Sequence, residues 1–249
     1  MRRFFVPPEL CHESRIELTG DEAHHAARVL RIEPGEPVTV LDGAGGVFAC
    51  VVESTAKQRV ELRVEQKSFV PRLPCQITLL QAVPKAKAMD YIVQKATELG
   101  VARIVPILSE RVVVHLNERE AADKAEKLKP IALEAIKQCG SPWLPQIEPP
   151  VSLKNFLARG EKFDLPLVAS LQEEQSALRD YLRNFQSQPQ RMPATAAIWI
   201  GPEGDFSPAE MDWLRASGYQ PITLGRLILR SDTAAIASLA VLNYELQQA

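Results

Sequence analysis

Residues 199–210 read Trp-Ile-Gly-Pro-Glu-Gly-Asp-Phe-Ser-Pro-Ala-Glu, and residues 224–233 read Leu-Gly-Arg-Leu-Ile-Leu-Arg-Ser-Asp-Thr. Together they describe an apolar strand, a glycine-rich turn, a capped helix, a second strand, and a polar loop ahead of a long apolar helix. Gly201, Gly204 and Gly225 let backbone come close to a ligand, because they carry no Cβ. Two such loops, each at a strand end, form the rim of a ligand site in an open α/β sheet. A lone Gly-Pro-x-Gly is most often a turn and nothing more. The second glycine loop, one βαβ step later, weighs against that plain reading.

The alternation continues on both sides of this stretch. Ser207, Pro208 and Glu210 supply an N-cap, a proline at the first helical position and a glutamate at N3. Thr233–Gln247 is a helix with Ile236, Leu239, Leu242 and Leu246 on one face, and Asp232 suits the dipole at its start. Upstream, Asp164–Leu171 and Ala196–Ile200 read as apolar strands separated by a helix over Gln175–Phe185. Runs this apolar suit a parallel sheet covered on both faces. Ile77–Gln81 is a further strand. Met89–Leu99 is an amphipathic helix that Gly100 stops, and Val101–Leu108 is the next strand. Asn117 and Glu120 make a capping-box pattern for a helix towards Gly140, in which Pro130 predicts a kink or break. From residue 77 onward the pattern is that of an α/β domain with a mainly parallel sheet.

Two prolines in Pro71–Pro74 mark a linker, which divides the chain into domains at 1–72 and 73–249. The first reads mostly as strands, at Val38–Leu41, Val47–Val52 and Arg59–Val64, with one short helix at Asp21–Arg31. The Asp-Gly-Ala-Gly-Gly string at 42–46 mimics a Rossmann-type glycine loop, which must open a helix. A strand follows instead, so the string is a hairpin turn.

The 249 residues suffice for one large domain or two modest ones, and 46% hydrophobic with 24% charged residues is ordinary for a globular protein. A net charge of -2 excludes a strongly basic nucleic-acid binder, so any RNA contact belongs to a local patch. Arg2, Arg3, Arg28 and Arg31 are candidates for one, against the plainer reading of solvated surface. Cys11, Cys50, Cys75 and Cys139 are scattered, and His12, His24, His25 and His115 lack ligand spacing. Neither a metal nor a disulfide framework is indicated. The N-terminus has charge without an apolar core segment, and no apolar run reaches membrane-span length, so the chain reads as cytosolic.

Trp199–Ser207 and Leu224–Ala234 resemble the two C-terminal motifs of the SPOUT, or trefoil-knot, methyltransferases, and specifically those of the RsmE family. The family pattern is roughly Ile-Gly-Pro-Glu-Gly-Gly-Phe-Ser and Leu-Gly-x-Arg-Ile-Leu-Arg-x-Glu-Thr-Ala. Gln94–Gly100 is similar to the family's Gln-Lys-Ala-Thr-Glu-Leu-Gly, Ser109–Arg111 to its Ser-Glu-Arg, and Lys137–Gly140 to its Glu-Gln-Cys-Gly-Arg. The N-terminal Arg-Phe-Phe-Val and the His25–Arg31 segment are similar to its PUA-like domain. Three positions depart: Asp205 stands for a glycine, and Leu227 and Ser141 each stand for an arginine.

The resemblance implies a PUA-like β-barrel over 1–72 that docks RNA, then a knotted SPOUT domain over 73–249. It implies a homodimer in which each site is completed by the partner chain. The expected cofactor is S-adenosylmethionine, clasped near Leu171, Ile200, Gly201, Gly204, Leu224, Gly225, Leu229 and Thr233, with no metal. The expected reaction is methylation at N3 of a uridine in small-subunit ribosomal RNA, with the assembled 30S subunit as the expected substrate. Lys95 and Arg111 join the four N-terminal arginines as RNA-facing candidates.

That chemistry asks for loss of the N3 proton and for an unpaired or flipped base. Arg230 is the candidate for stabilising negative charge on the uracil oxygens. Glu203 or Asp232 takes the proton or orients Arg230, and the sequence leaves that choice open. Two other readings remain: a SPOUT enzyme acting on another RNA such as tRNA, and a relative that binds without catalysing. Asp205, Leu227 and Ser141 motivate the last, while Arg230, Asp232 and Thr233 weigh against it.

Overall fold

A computed structural model of the protein describes residues 2–12, 14–84, 88–111, 117–171, 176–186 and 192–247. They form two units, one of residues up to Arg72 with Leu133–Leu144, the other of Leu73–Ala132 with Pro145 onward.

In the first unit, β1 (Arg2–Phe5), β2 (Arg15–Thr19), β3 (Pro37–Leu41), β4 (Gly46–Ala56) and β5 (Arg59–Phe69) form one sheet in the order β1-β3-β4-β5-β2. Along β4 buried and half-buried residues alternate from Gly46 to Glu53, the period of a strand with one face on a core. Phe4, Leu18, Val38, Val40, Phe48, Val60 and Leu62 are the centre of that core. Residues 42–46 turn β3 into antiparallel β4, and the Asp42 carboxylate accepts the N–H groups of Ala44 and Gly46, each at 2.7 Å. The expected helix over Asp21–Arg31 is shorter and two-part. After α1 (Gly20–His24) comes one π turn over His25–Val29, and Arg31, at φ 50°, ends it. The wide turn is fixed by Leu30 N–H donating to His25 O at 2.9 Å, a five-residue step.

The second unit contains β6 (Gln76–Ala82), α2 (Ala88–Glu98), β7 (Arg103–Leu108), the first part of α3 (Glu118–Cys139), β8 (Gln146–Ile147), β9 (Val151–Ser152) and α4 (Leu153–Ala158). It continues with β10 (Leu165–Ala169), β11 (Ser176–Ala177), α5 (Leu178–Gln186), β12 (Thr195–Ile200), α6 (Pro208–Ala216), β13 (Gln220–Thr223) and α7 (Ser231–Leu246). Every strand pair among the described residues of this sheet is parallel, and the order is β11-β13-β10-β12-β6-β7-β8, with β9 also on β7. Trp199 on β12 is fully buried, with Phe156, Phe206 and Tyr219 edge-on around it at 5.4 to 6.2 Å. The break expected at Pro130 does not occur: α3 continues through it, with Leu128, Ala132 and Ile136 buried on either side. Burial of that face outweighs one lost hydrogen bond. The start of the helix expected over Gln175–Phe185 lies outside the described residues at Gln175, and the helix runs from Leu178.

The chain builds β6, β7 and β8 in one direction, then crosses to β10 and fills the gap with β12. That reversal of direction places the C-terminal ends of β10, β12 and β13 side by side, where an α/β sheet offers a crevice.

Candidate functional site

A cavity of about 230 Å³ opens at those three strand ends. It is lined by Ala169, Ser170 and Leu171 after β10, by Ile200, Gly201, Pro202, Glu203 and Asp205 after β12, and by Thr223 through Leu229 after β13. Ser231 and Ala234, from the start of α7, complete it.

The loop after β12 turns tightly, with Asp205 N–H donating to Pro202 O at 3.0 Å. Gly201 sits where a Cβ would meet Asp205 Oδ1 at 3.2 Å and Phe206 at 3.4 Å, so a side chain there requires Asp205 and Phe206 to give way. Asp205 has φ 61°, in the left-handed region that glycine prefers and aspartate tolerates. Its departure from the glycine pattern is therefore compatible with the same turn. Its carboxylate accepts Phe206 N–H at 2.8 Å and Leu171 N–H at 3.2 Å. The loop after β13 is closed by Thr223, whose hydroxyl accepts Gly225 N–H and donates to Gly225 O, both at 3.1 Å. Beyond it Leu227 and Ile228 are 79% and 80% exposed, unusual for apolar side chains in a cavity wall.

A buried polar chain underlies the two loops. Gln81, at the end of β6, donates from Nε2 to Ser231 Oγ at 2.9 Å, and Ser231 Oγ donates to Gly201 O at 2.8 Å. The sequence reading passed over both residues. The only signal for Gln81 is a polar side chain closing an apolar strand. Glu210 is buried and completes the capping box expected at α6, and it also accepts Glu110 N–H at 2.8 Å. Ser207 Oγ donates to the Glu110 carboxylate at 2.7 Å, so the end of β7 is bonded to the start of α6.

Of the residues expected to bind cofactor, Leu171, Ile200, Gly201, Leu224, Gly225 and Leu229 line the cavity, whereas Gly204 and Thr233 do not. Of the three expected catalytic residues only Glu203 lines it. Arg230 precedes α7 with its side chain 87% exposed, and its Nε lies 3.9 Å from Asp232 Oδ1. Asp232 Oδ1 also accepts Thr233 N–H at 2.8 Å. The RNA-facing candidates divide. Arg2 pairs with Glu36, and Arg3 donates to the carbonyls of Lys137 and Gln138 at 3.2 and 2.9 Å, closing the end of α3. Lys95 pairs with Glu98 at 2.8 Å. Arg111 donates to the carbonyls of Gly204 and Asp205, under the glycine loop. Arg28 and Arg31 are exposed. His115 lies outside the described residues.

Burial pushes the thiols of Cys11, Cys50 and Cys75 up to about 11, 12 and 12, which keeps them as thiols and poor nucleophiles. Among the described residues no group of three or more His, Cys, Asp or Glu is placed to hold a metal ion, and no helix is long and apolar enough to cross a membrane. The site therefore offers backbone, apolar surface, two lining carboxylates, Glu203 and Asp205, the Arg226 guanidinium in its wall and that of Arg230 nearby.

The family model described as RNA methyltransferase domain matches residues 71–243, and that described as RNA methyltransferase PUA domain matches residues 18–65. The chain is 32% identical to ribosomal RNA small subunit methyltransferase E of Synechocystis over 97% of its length and 77% of the relative's. A Legionella pneumophila protein solved with bound SAM superposes with a TM-score of 0.85 at 34% identity, covering 97% of this chain and 96% of that one. Ribosomal RNA small subunit methyltransferase E of Neisseria gonorrhoeae, solved with S-adenosyl methionine, gives 0.83 at 29% identity, covering 98% and 97%.

Proposed function

The chain belongs to the RsmE family of small-subunit ribosomal RNA methyltransferases, and from that membership we propose that it methylates N3 of a uridine in small-subunit ribosomal RNA with S-adenosylmethionine. The observation that carries the reading is the convergence of both glycine loops on one cavity at the ends of β10, β12 and β13. The residues present suit that cofactor. Leu171, Leu227 and Ile228 offer exposed apolar faces to a purine, and neither Gly201 nor Gly225 puts a side chain in the way. Bound there, the cofactor supplies a methyl group activated by its sulfonium.

The chain's own work is to position the base, remove its proton and stabilise charge. Glu203 is the proton acceptor in this reading, because it lines the cavity. Asp232, 3.9 Å from Arg230, orients the guanidinium, and Arg230 stabilises the charge left on the uracil oxygens when the N3–H bond breaks. Gln81 and Ser231 hold Gly201 from below.

The N-terminal unit docks the RNA in the assembled 30S subunit, the protein works in the cytoplasm, and the two glycine loops lie in a knotted path. The protein acts as a homodimer. Tyr91 on α2 with Val241 and Tyr244 on α7 supports this, since all three are exposed apolar residues. Nucleoside mass spectrometry of small-subunit RNA from a deletion strain should lack N3-methyluridine, and purified protein with cofactor should restore it on isolated subunits. An unchanged nucleoside profile overturns the reading. Light scattering should give twice the 27.6 kDa chain mass.

A further inference from the structure

We propose that Asp205 is a positioning residue that sets the cofactor pocket by tying the end of β10 to the glycine loop after β12. The last residue of β10 in register with a neighbour is Ala169, opposite Ile222. Ser170 N–H still reaches Ile222 O at 3.1 Å, but Leu171 is past the ladder. Its N–H is taken by Asp205 Oδ2 at 3.2 Å, while Oδ1 takes Phe206 N–H at 2.8 Å. Both carboxylate oxygens are thereby used, each on a backbone donor of a different loop.

The backbone of Asp205 makes this possible. At φ 61° its side chain turns back over Gly201, whose missing Cβ leaves room for Oδ1. From the other side the Arg111 guanidinium binds the carbonyls of Gly204 and Asp205. The residue is therefore clamped between the end of β7 and the end of β10. Leu171, half exposed in the cavity wall, is held where a ligand would meet it. The tie orders that wall before a ligand arrives, so less ordering is left to the binding step. This inference rests on the cofactor reading for the identity of the ligand, and on the geometry alone for the tie.

The test uses the full chain with Asp205→Gly, which accepts the same φ and has no carboxylate, and Asp205→Asn, which keeps one acceptor oxygen of two. In cofactor-free protein, amide exchange at Leu171 should quicken in Asp205→Gly, with a smaller change in Asp205→Asn. Calorimetry with S-adenosylmethionine should show affinity weakened about tenfold in Asp205→Gly, the scale of one charge-assisted hydrogen bond. In turnover, the KM for cofactor should rise more than kcat falls. Unchanged exchange at Leu171 in Asp205→Gly overturns the tie, and faster exchange with unchanged affinity overturns its role in the pocket. Wild-type protein that gives no heat with the cofactor fails the cofactor reading instead, and the exchange rates still judge the tie.

Discussion

Arg230 is the residue on which the chemical reading turns, and its surroundings separate two roles. Its side chain is exposed beside the cavity, not in the wall, with Asp232 at 3.9 Å. A group so placed meets an incoming base more readily than a bound cofactor. Arg230→Ala should therefore cut single-turnover methylation by about a hundredfold, the usual scale for losing an electrostatic stabiliser. Cofactor affinity by calorimetry should hardly move, and Arg230→Lys should rescue in part, since a point charge lacks the planar fork. A loss of affinity equal to the loss of rate would make Arg230 a binding residue. Gly201→Val should do the reverse and abolish cofactor binding, because its Cβ falls 3.2 Å from Asp205 Oδ1 before the γ-carbons are placed. The glycines were legible in the sequence because few residues can replace them in a tight loop. The use of Asp205 was not: its partner, Leu171 N–H, is 34 residues away. The partners of Arg2 and Arg3 were illegible for the same reason, since Glu36 and the end of α3 are brought to them only by folding.

At the scale of elements, the helix caps were legible and the long-range order was not, while the local signal at Pro130 was overridden by burial along α3. The capping box at α6 and that at Asn117 and Glu120 are both formed, because each depends on residues three apart. The strand order, with β12 inserted between β10 and β6, depends on crossovers that no local pattern encodes. One cluster shows what fastens these elements. Arg103 on β7 is bound by Glu148, before β9, and by Glu161, after α4, each at 2.5 Å. The hydrogen bond from Arg103 holds the Glu161 carboxyl below its ordinary value of 4.5, against desolvation. A lowered folded pKa contributes stability that is present above the unfolded value and lost as pH falls through the folded one. Stability should therefore drop below about pH 4.5, and Glu161→Gln should flatten that part of the curve. At neutral pH the same substitution should cost about 1 kcal/mol, discounted for partial exposure, or roughly 2–4 °C in Tm. A variant whose acid limb matches wild type would assign the loss to other carboxylates. Arg3→Ala should likewise lower Tm by a few degrees, about 1 kcal/mol, through the freed carbonyls of α3. Unchanged stability would show that α3 does not depend on Arg3.

For the whole molecule, the question is where RNA is gripped by a chain of net charge -2. With so little overall field, docking depends on a few cations not already engaged within the protein. A truncated chain starting near Leu73 is a poor test, because Leu133–Leu144 packs with the first unit and would lose its surroundings. Substitution in the full chain is cleaner. Arg28 and Arg31 are exposed and follow one another across the end of the π turn, with Arg31 held at φ 50°. If both meet phosphates, the double variant Arg28→Glu with Arg31→Glu should weaken binding to small subunits and make it less dependent on salt. Each lost phosphate contact lowers the slope of log affinity against log salt by about 1. Calorimetry with S-adenosylmethionine should be the same as for wild type, since the cavity is lined by residues 169 to 234. The KM for subunits should rise while single-turnover methylation at saturating subunits stays close to wild type. Reversing two charges on a surface without RNA contact would leave the salt slope where it was. That outcome would move the docking site away from the first helix of the N-terminal unit.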